Sequence, residues 1–107
     1  MATAKIPLDK EKIEDFCRRW AIVELALFGS VLREDFGPQS DVDVLITFAP
    51  NSPHTILFDH IAMEEELREI FGRPIDLLSK RGVERSTNAR RRKEILETAE
   101  VIYAQAA

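Results

Sequence analysis

The stretch LALFGSVLREDFGPQSDVDVLITF, residues 25–48, places two aspartates, Asp41 and Asp43, inside a run that otherwise has the composition of a buried strand. Side chains two residues apart on a strand project from the same face, roughly 6.5–7 Å from each other. Two such carboxylates repel and are costly to desolvate unless a cation neutralises them. Because the ligands are all oxygen, the pattern predicts Mg²⁺ or Mn²⁺ rather than zinc.

A third carboxylate repeats this arrangement in PIDLL, residues 74–78, where Asp76 shares a strand face with Leu78. If this strand lies beside residues 41–48 in matching register, Asp76 joins Asp41 and Asp43. Three carboxylates can hold two metal ions about 3.5–4 Å apart, which suits in-line displacement at phosphorus. Asp41 could instead be a solvated turn residue, and Asp76 alone an exposed strand residue. A calcium loop is excluded because valines separate the acids.

Gly29 and Ser30 stand where the first strand ends, and ten residues, 31–40, separate this pair from Asp41. Glycine allows the backbone to approach a ligand closely, and free N–H groups at a helix start favour phosphate. Arg33 would share a helical face with Ser30 and reach the same phosphates. The alternative is an ordinary helix cap with a solvated arginine. No G-x-x-x-x-G-K-[ST] motif is present, so a P-loop enzyme is excluded.

Length and composition predict one domain, residues 1–107, with 45% apolar residues and a net charge of −4. The acidic charge argues against non-specific nucleic-acid binding. The sequence contains no long apolar run and no apolar core of a signal peptide, which predicts a cytoplasmic protein. Its single cysteine, Cys17, fits a buried core thiol. Basic residues are concentrated between Lys80 and Lys93, and the basic run ARRRKE within them, residues 89–94, is a solvated helix face, or a docking surface for an acidic partner or for the RNA that this partner handles.

Hydrophobic periodicity and turn residues predict four helices and four strands. The helices are expected at 9–20, 30–36, 55–71 and 86–98, and the strands at 23–28, 41–48, 74–78 and 100–104. Asp9 is the expected N-cap of the first helix, and Ile95 and Leu96 are expected to face inward in the last. The order favours an α/β (α+β) fold in which a small mixed β-sheet packs against helices.

The segments FGSVLREDFGPQSDVDVLI and GRPIDLLS resemble the minimal nucleotidyltransferase (MNT) family of the DNA polymerase beta-like superfamily. The resemblance extends from about residue 10 to 104. It implies the nucleotidyltransferase fold, ATP as substrate and a divalent metal. By position, Gly29 and Ser30 would bind phosphate, Asp41 and Asp43 would bind metal, and Asp76 would be the third carboxylate. Glu34 stands where many members have glycine, after the arginine that aligns with Arg33.

The resemblance also implies a partner, because larger members carry a helical domain for which this chain is too short. MNT proteins of this kind pair with a HEPN-domain toxin in a hetero-oligomer and act as its antitoxin by transferring AMP from ATP to a tyrosine of the HEPN ribonuclease. One alternative is a non-catalytic binding module that neutralises its partner by contact. A DNA-binding autorepressor rests only on the basic run, and the sequence has no clear recognition-helix motif.

Overall fold

The computed structural model describes residues 8–32, 40–50 and 57–105, except the side chains of residues 30, 57 and 58. Within these ranges the strands form one four-stranded sheet in the order β3-β2-β1-β4. Strand β1 pairs antiparallel with β2 and with β4, whereas β2 and β3 are parallel. The predicted small mixed sheet packed against helices is therefore confirmed. The elements are α1 (Lys10–Arg19), β1 (Ile22–Phe28), a 3-10 helix (Gly29–Leu32), β2 (Val42–Phe48), α2 (Leu57–Phe71), β3 (Ile75–Ser79), α3 (Lys80–Glu84), α4 (Ala89–Thr98) and β4 (Glu100–Ala104).

One face of the sheet carries the larger part of the core. Alternate residues of the three strands β1, β2 and β3 point to this face, as the period of two along a strand requires. They pack against apolar side chains of α1 and α2. The members of this cluster include Ile13, Phe16, Leu25, Leu27, Val42, Val44, Ile46, Met63, Leu67, Ile75 and Leu77.

The opposite face carries a second, smaller cluster, which packs against α3 and α4. Ala26, Phe28 and Leu45 of the sheet meet Val83 of α3 and Ile95 of α4. Leu78 of β3 packs against the same cluster. Because side chains alternate, Asp43 lies on the face of Leu45 and Asp76 on the face of Leu78. The sequence-based expectation that these aspartates face away from Val42 and Val44 is thus confirmed by the packing.

Two features of the helices differ from the sequence-based prediction. Leu96 is 37% exposed, so its predicted inward position is wrong; α4 buries Ile95 instead, which is 5% exposed. Helix α3 was not predicted, because it has only five residues and contains Gly82. Its start is fixed locally, since the Gly82 N–H donates to Ser79 Oγ at 3.0 Å. Among the helices within the described ranges, none is long and apolar enough to cross a membrane.

Helices α1 and α2 are joined by a polar contact at one side of the larger core cluster. Trp20 Nε1 donates to Glu66 Oε2 at 2.9 Å, and the Arg19 guanidinium donates to the other oxygen of Glu66. Partial burial raises the pKa of Glu66, but these two hydrogen bonds outweigh burial and hold it below its usual range. The ionised carboxylate of Glu66 therefore contributes to the packing of α2 against α1.

The first helix begins where the sequence predicts. The Lys12 N–H donates to Asp9 Oδ1 at 3.2 Å, which makes Asp9 the N-cap. Cys17 is fully buried on the face of α1 that meets the sheet, and burial raises the pKa of its thiol to about 12. A thiol with so high a pKa stays protonated at neutral pH, so Cys17 is a core residue rather than a nucleophile.

Candidate active site

Two of the three predicted acidic residues are direct neighbours on adjoining strands. Asp43 of β2 is in register with Asp76 of the parallel strand β3. Neighbouring strands lie about 4.8 Å apart, and the two side chains project from the same face of the sheet. Asp43 is partly buried and Asp76 is exposed. The arrangement brings together two carboxylates that are 33 positions apart in the chain (76 − 43).

The third predicted carboxylate, Asp41, lies just before β2 and is exposed. The chain on either side of it is fixed to the segment that precedes β3. The Val42 N–H donates to the carbonyl of Pro74 at 2.9 Å, and Arg73 Nη1 donates to the carbonyl of Ser40 at 3.3 Å. These contacts hold the backbone around Asp41 next to the strand that carries Asp76.

Gly29 contacts Asp43 directly, and the contact explains why a glycine is needed there. It follows Phe28, the residue of β1 that pairs with Asp43. Its φ is +73°, in the left-handed region, and a Cβ at this position would collide with the Asp43 carboxylate, 3.2 Å from Cγ and closer still to Oδ2. Backbone approach of this kind is available only to glycine. The turn after β1 is thereby fitted to the carboxylate on β2.

The phosphate-binding prediction is only partly within the described structure. Ser30 lies in the 3-10 helix Gly29–Leu32, directly after the glycine that touches Asp43. Its side chain, and the whole of Arg33, lie outside what the structure describes. The roles of Ser30 and Arg33 therefore stay predictions from the sequence.

A cavity of about 440 Å³ opens beside Gly29 and Asp43. Phe28 and Leu32 contribute to its wall on the sheet side, and helix α4 supplies the remainder of the lining. The α4 residues are Arg91, Glu94, Ile95 and Thr98. A larger cavity, of about 570 Å³, lies at the opposite end of β2 and β3 and is lined by neither aspartate, so we place the candidate site at the smaller one.

The α4 residues of this cavity were missed by sequence reasoning, which treated the basic run as solvated. A signal was present: Ile95 is the apolar residue of α4 that faces the sheet. Arg91 lies four residues before Ile95 and Thr98 three residues after it, so both are its neighbours on the helix surface, and Glu94 is in turn three residues after Arg91. The helix periodicity around Ile95 could therefore have found them.

The donor set suits a hard divalent cation, because the neighbouring side chains offer only carboxylate oxygens. Asp43 and Asp76 would hold such an ion from adjoining strands, with Asp41 as a further ligand. Within residues 8–32, 40–50 and 57–105, no three side chains of the types His, Cys, Asp and Glu already converge as a ligand cluster. The register of Asp43 and Asp76 is the feature that fits a metal, and the roles of the three aspartates as ligands stay a prediction.

Comparison with known proteins agrees with this geometry. Residues 9–102 match the sequence profile of the Nucleotidyltransferase domain family. The solved structure of a candidate minimal nucleotidyltransferase is 30% identical, has a TM-score of 0.63, and the match covers 84% of this chain and 85% of that chain. Two candidate protein adenylyltransferases of Methanocaldococcus jannaschii, MJ1379 and MJ0435, are 28% and 29% identical over 61% and 65% of this chain. These matches span 64% and 72% of the relatives' own lengths.

Two further solved structures share the fold at lower identity. A toxin–antitoxin complex with AMP-PNP has a TM-score of 0.69 at 17% identity, and a mutant of the toxin–antitoxin complex MntA–HpeT has 0.67 at 15%. Each match covers 92% of this chain and 75% of that chain. At these identities the likeness concerns the fold. The profile match and the relative at 30% identity carry the assignment: this chain belongs to the Nucleotidyltransferase domain family and, within it, to the minimal nucleotidyltransferases.

Proposed function

We propose that this chain is a metal-dependent nucleotidyltransferase that transfers AMP from ATP to a partner protein. The single observation that carries the proposal is the register of Asp43 with Asp76, beside a glycine that fits against Asp43. Two carboxylates brought together in this way favour a site for Mg²⁺ or Mn²⁺. Gly29 stands directly before Ser30 and shortly before Arg33, and a glycine turn at this place favours binding of the phosphates of a nucleotide.

In the proposed reaction an acceptor hydroxyl oxygen attacks the α-phosphorus of ATP. The bond from this phosphorus to the bridging oxygen breaks, and pyrophosphate leaves. Asp76, the more exposed of the two paired aspartates, takes the proton of the hydroxyl, while Asp41 and Asp43 would hold a divalent cation beside the triphosphate. A divalent cation bound here would neutralise charge on the phosphates and lower the pKa of the acceptor hydroxyl.

The proposed acceptor is a tyrosine of a HEPN ribonuclease toxin, which would make this chain its antitoxin. Support comes from the likeness of its fold to that of MntA–HpeT and from the candidate adenylyltransferases among its relatives. A contact-only antitoxin, in which the site is vestigial, is the second candidate. It is less favoured because Asp41, Asp43 and Asp76 are all retained together with Gly29.

Radiolabel transfer separates the two candidates. The purified chain is incubated with Mg²⁺, α-labelled ATP and a HEPN-domain ribonuclease as the acceptor, and the products are resolved on a denaturing gel. We expect label on the partner, pyrophosphate in solution, and neither in EDTA or with Asp43→Asn. Neutralisation of the toxin by Asp43→Asn as effectively as by wild type would establish contact as the mechanism. Release of orthophosphate without labelled protein would indicate a hydrolase.

A further inference from the structure

Helix α4 presents a row of side chains to the cavity that holds Gly29 and Asp43. Ile95 fixes the helix on the sheet, since it is buried against Phe28 and Leu45. Arg91 lies four residues before Ile95, about 6 Å nearer the start of the helix. It lines the same cavity as Asp43. The anchoring of α4 through Ile95 therefore determines where the Arg91 side chain stands relative to the carboxylates.

Arg91 is the only cationic side chain among the described residues that line this cavity. Within the described part of the chain its guanidinium makes no ion pair, although Glu94 is on the same helix face. Its backbone N–H donates to Asn88 Oδ1 at 3.1 Å, which fixes the first turn of α4. The backbone is thus held in place while the five donors of the guanidinium stay available for a ligand.

The two neighbouring arginines differ from Arg91 in ways that matter for an experiment. Arg92 Nη1 donates to the carbonyl of Ser86 at 2.7 Å, so it has a structural contact. Arg90 is exposed, as Arg91 is, but it is not among the residues that line this cavity. Arg91 also lines a second cavity of about 480 Å³ between α3, α4 and β3, which places it at the border of the two. Arg90 is therefore a matched control of equal charge on the same helix.

We infer that Arg91 binds the terminal phosphates of the nucleoside triphosphate, a role that rests on the function proposed above. The charges favour a cation here, because a triphosphate carries more negative charge than one divalent ion cancels and the cavity already contains the side chains of Asp43 and Glu94. A guanidinium is suited to this task because it is always charged and can donate two parallel hydrogen bonds to phosphate oxygens. Arg91 lines the cavity from α4 and Asp43 lines it from β2, so the two side chains reach a shared ligand from different elements.

The inference specifies which part of the nucleotide is recognised. Contact with the terminal phosphates predicts that Arg91 matters for ATP and not for AMP, which lacks them. If Arg91 instead contacts the partner protein, its replacement should leave the affinity for ATP unchanged and weaken the association with the acceptor. The two possibilities differ in a measurement that needs no catalysis.

The test measures binding of Mg²⁺-ATP and of AMP to the full chain by competition with a fluorescent ATP analogue, for wild type, Arg91→Gln, Arg91→Lys and Arg90→Gln. A hydrogen bond to a charged group corresponds to about 10–100-fold in affinity. We expect Arg91→Gln to lose ATP affinity in that range while AMP affinity changes less than about 2-fold, the level set by loss of one exposed charge. Arg90→Gln should bind both like wild type. Arg91→Lys should recover part of the loss, because it restores the charge but not the paired donors.

Several results would overturn the inference. Equal losses in Arg91→Gln and Arg90→Gln would mean a diffuse effect of charge. Equal losses for ATP and AMP would place Arg91 elsewhere on the nucleotide, and unchanged ATP affinity with weaker partner association would make it a docking residue. None of these results contradicts the proposed function, provided that the wild-type chain transfers labelled AMP to its partner. Conversely, ATP binding that depends on Arg91 in a chain that transfers nothing would preserve the inference and refute the transferase.

Discussion

Replacing Gly29 by alanine should damage the site through one added methyl group. Gly29 has φ +73°, a conformation that costs an L-residue about 1–2 kcal/mol. The added Cβ would also collide with the Asp43 carboxylate, which would have to leave its position. Forcing extra atoms into a packed position costs a further 1–3 kcal/mol, roughly. Gly29→Ala should therefore lose about 2–5 kcal/mol of unfolding free energy, the sum of the two contributions.

Gly72 provides the matched control, because it has nearly the same conformation without the collision. Its φ is +69°, and a Cβ there would meet nothing within 4 Å. Gly72→Ala should lose only the conformational part, which corresponds to a melting temperature about 4–16 °C lower in a domain of this size. Thermal melts of both variants in EDTA, followed by the label-transfer assay, compare them directly. The transfer assay is run at least about 20 °C below the melting temperature of each variant, so that both are folded. Under these conditions we expect Gly72→Ala to transfer AMP at close to the wild-type rate and Gly29→Ala to be severely impaired.

A double-mutant cycle isolates the contact between Gly29 and Asp43. In an Asp43→Ala background the oxygen and Cγ that collide are gone, and the remaining Cβ lies 3.6 Å away, an ordinary van der Waals distance. The cost of Gly29→Ala should then fall to that of Gly72→Ala, a coupling free energy of about 1–3 kcal/mol. The reasoning is refuted if Gly29→Ala costs the same with and without the Asp43 carboxylate, or if Gly29→Ala keeps full activity.

Three further predictions concern Asp43, the backbone contact beside Asp41 and the contact between α1 and α2. Asp43→Asn should abolish transfer, because it removes one of the two paired carboxylates that would hold the cation; transfer at the wild-type rate would exclude Asp43 as a metal ligand. The same variant should gain much less stability from Mg²⁺-ATP than wild type, which should gain about 2.7 kcal/mol at one hundred times Kd. Arg73→Ala should lower kcat, because it removes the hydrogen bond to the Ser40 carbonyl beside Asp41, and Arg73→Lys should restore part of the rate. Equal rates in wild type and both variants would show that the contact is dispensable. Glu66→Gln should destabilise the fold near the low end of about 1.5–3 kcal/mol, since Arg19 is exposed. Because folding lowers the pKa of Glu66, the loss of stability in Glu66→Gln should be complete above the unfolded pKa of about 4.3 and should vanish as pH falls through the lower folded pKa. Urea unfolding of both proteins at several pH values measures this. A loss of stability that does not change with pH would show that Glu66→Gln acts through packing.

The sequence was most informative about features that follow from the alternation of side chains along a strand, such as the face on which Asp43 lies. Asp43 sits between valines, and alternation along the strand is enough to place it on the face opposite the larger core cluster. The pairing with Asp76 could be stated only as a condition, because register between strands depends on the whole crossover through α2. The family resemblance implied that Asp76 is the third carboxylate, and the structure adds its register with Asp43.

The contribution of α4 to the cavity could not be predicted with the same ease. Arg91 belongs to a run of charged residues whose usual location is a solvated face, and composition alone does not show where the helix is anchored. One buried residue, Ile95, decides which charges face the site. Ile95 and Leu96 were both expected to face inward, and which of the two is buried depends on the angle at which α4 crosses the sheet. Local periodicity shows which residues share a helix face with Ile95, but it does not show that this face meets the sheet beside Asp43.

The pairing of Asp43 with Asp76 also has a consequence for the order of folding. The two carboxylates belong to parallel strands, and parallel pairing requires the intervening crossover, which includes α2, to close a long loop first. A chain in which β1 and β2 have formed their hairpin, but β3 has not yet docked, would contain half a binding site. Nucleotide and metal would then bind only after the last parallel contacts form, and would slow their opening. The amide proton of Val42, which bonds to the Pro74 carbonyl at this junction, should exchange with solvent much more slowly when Mg²⁺-ATP is bound.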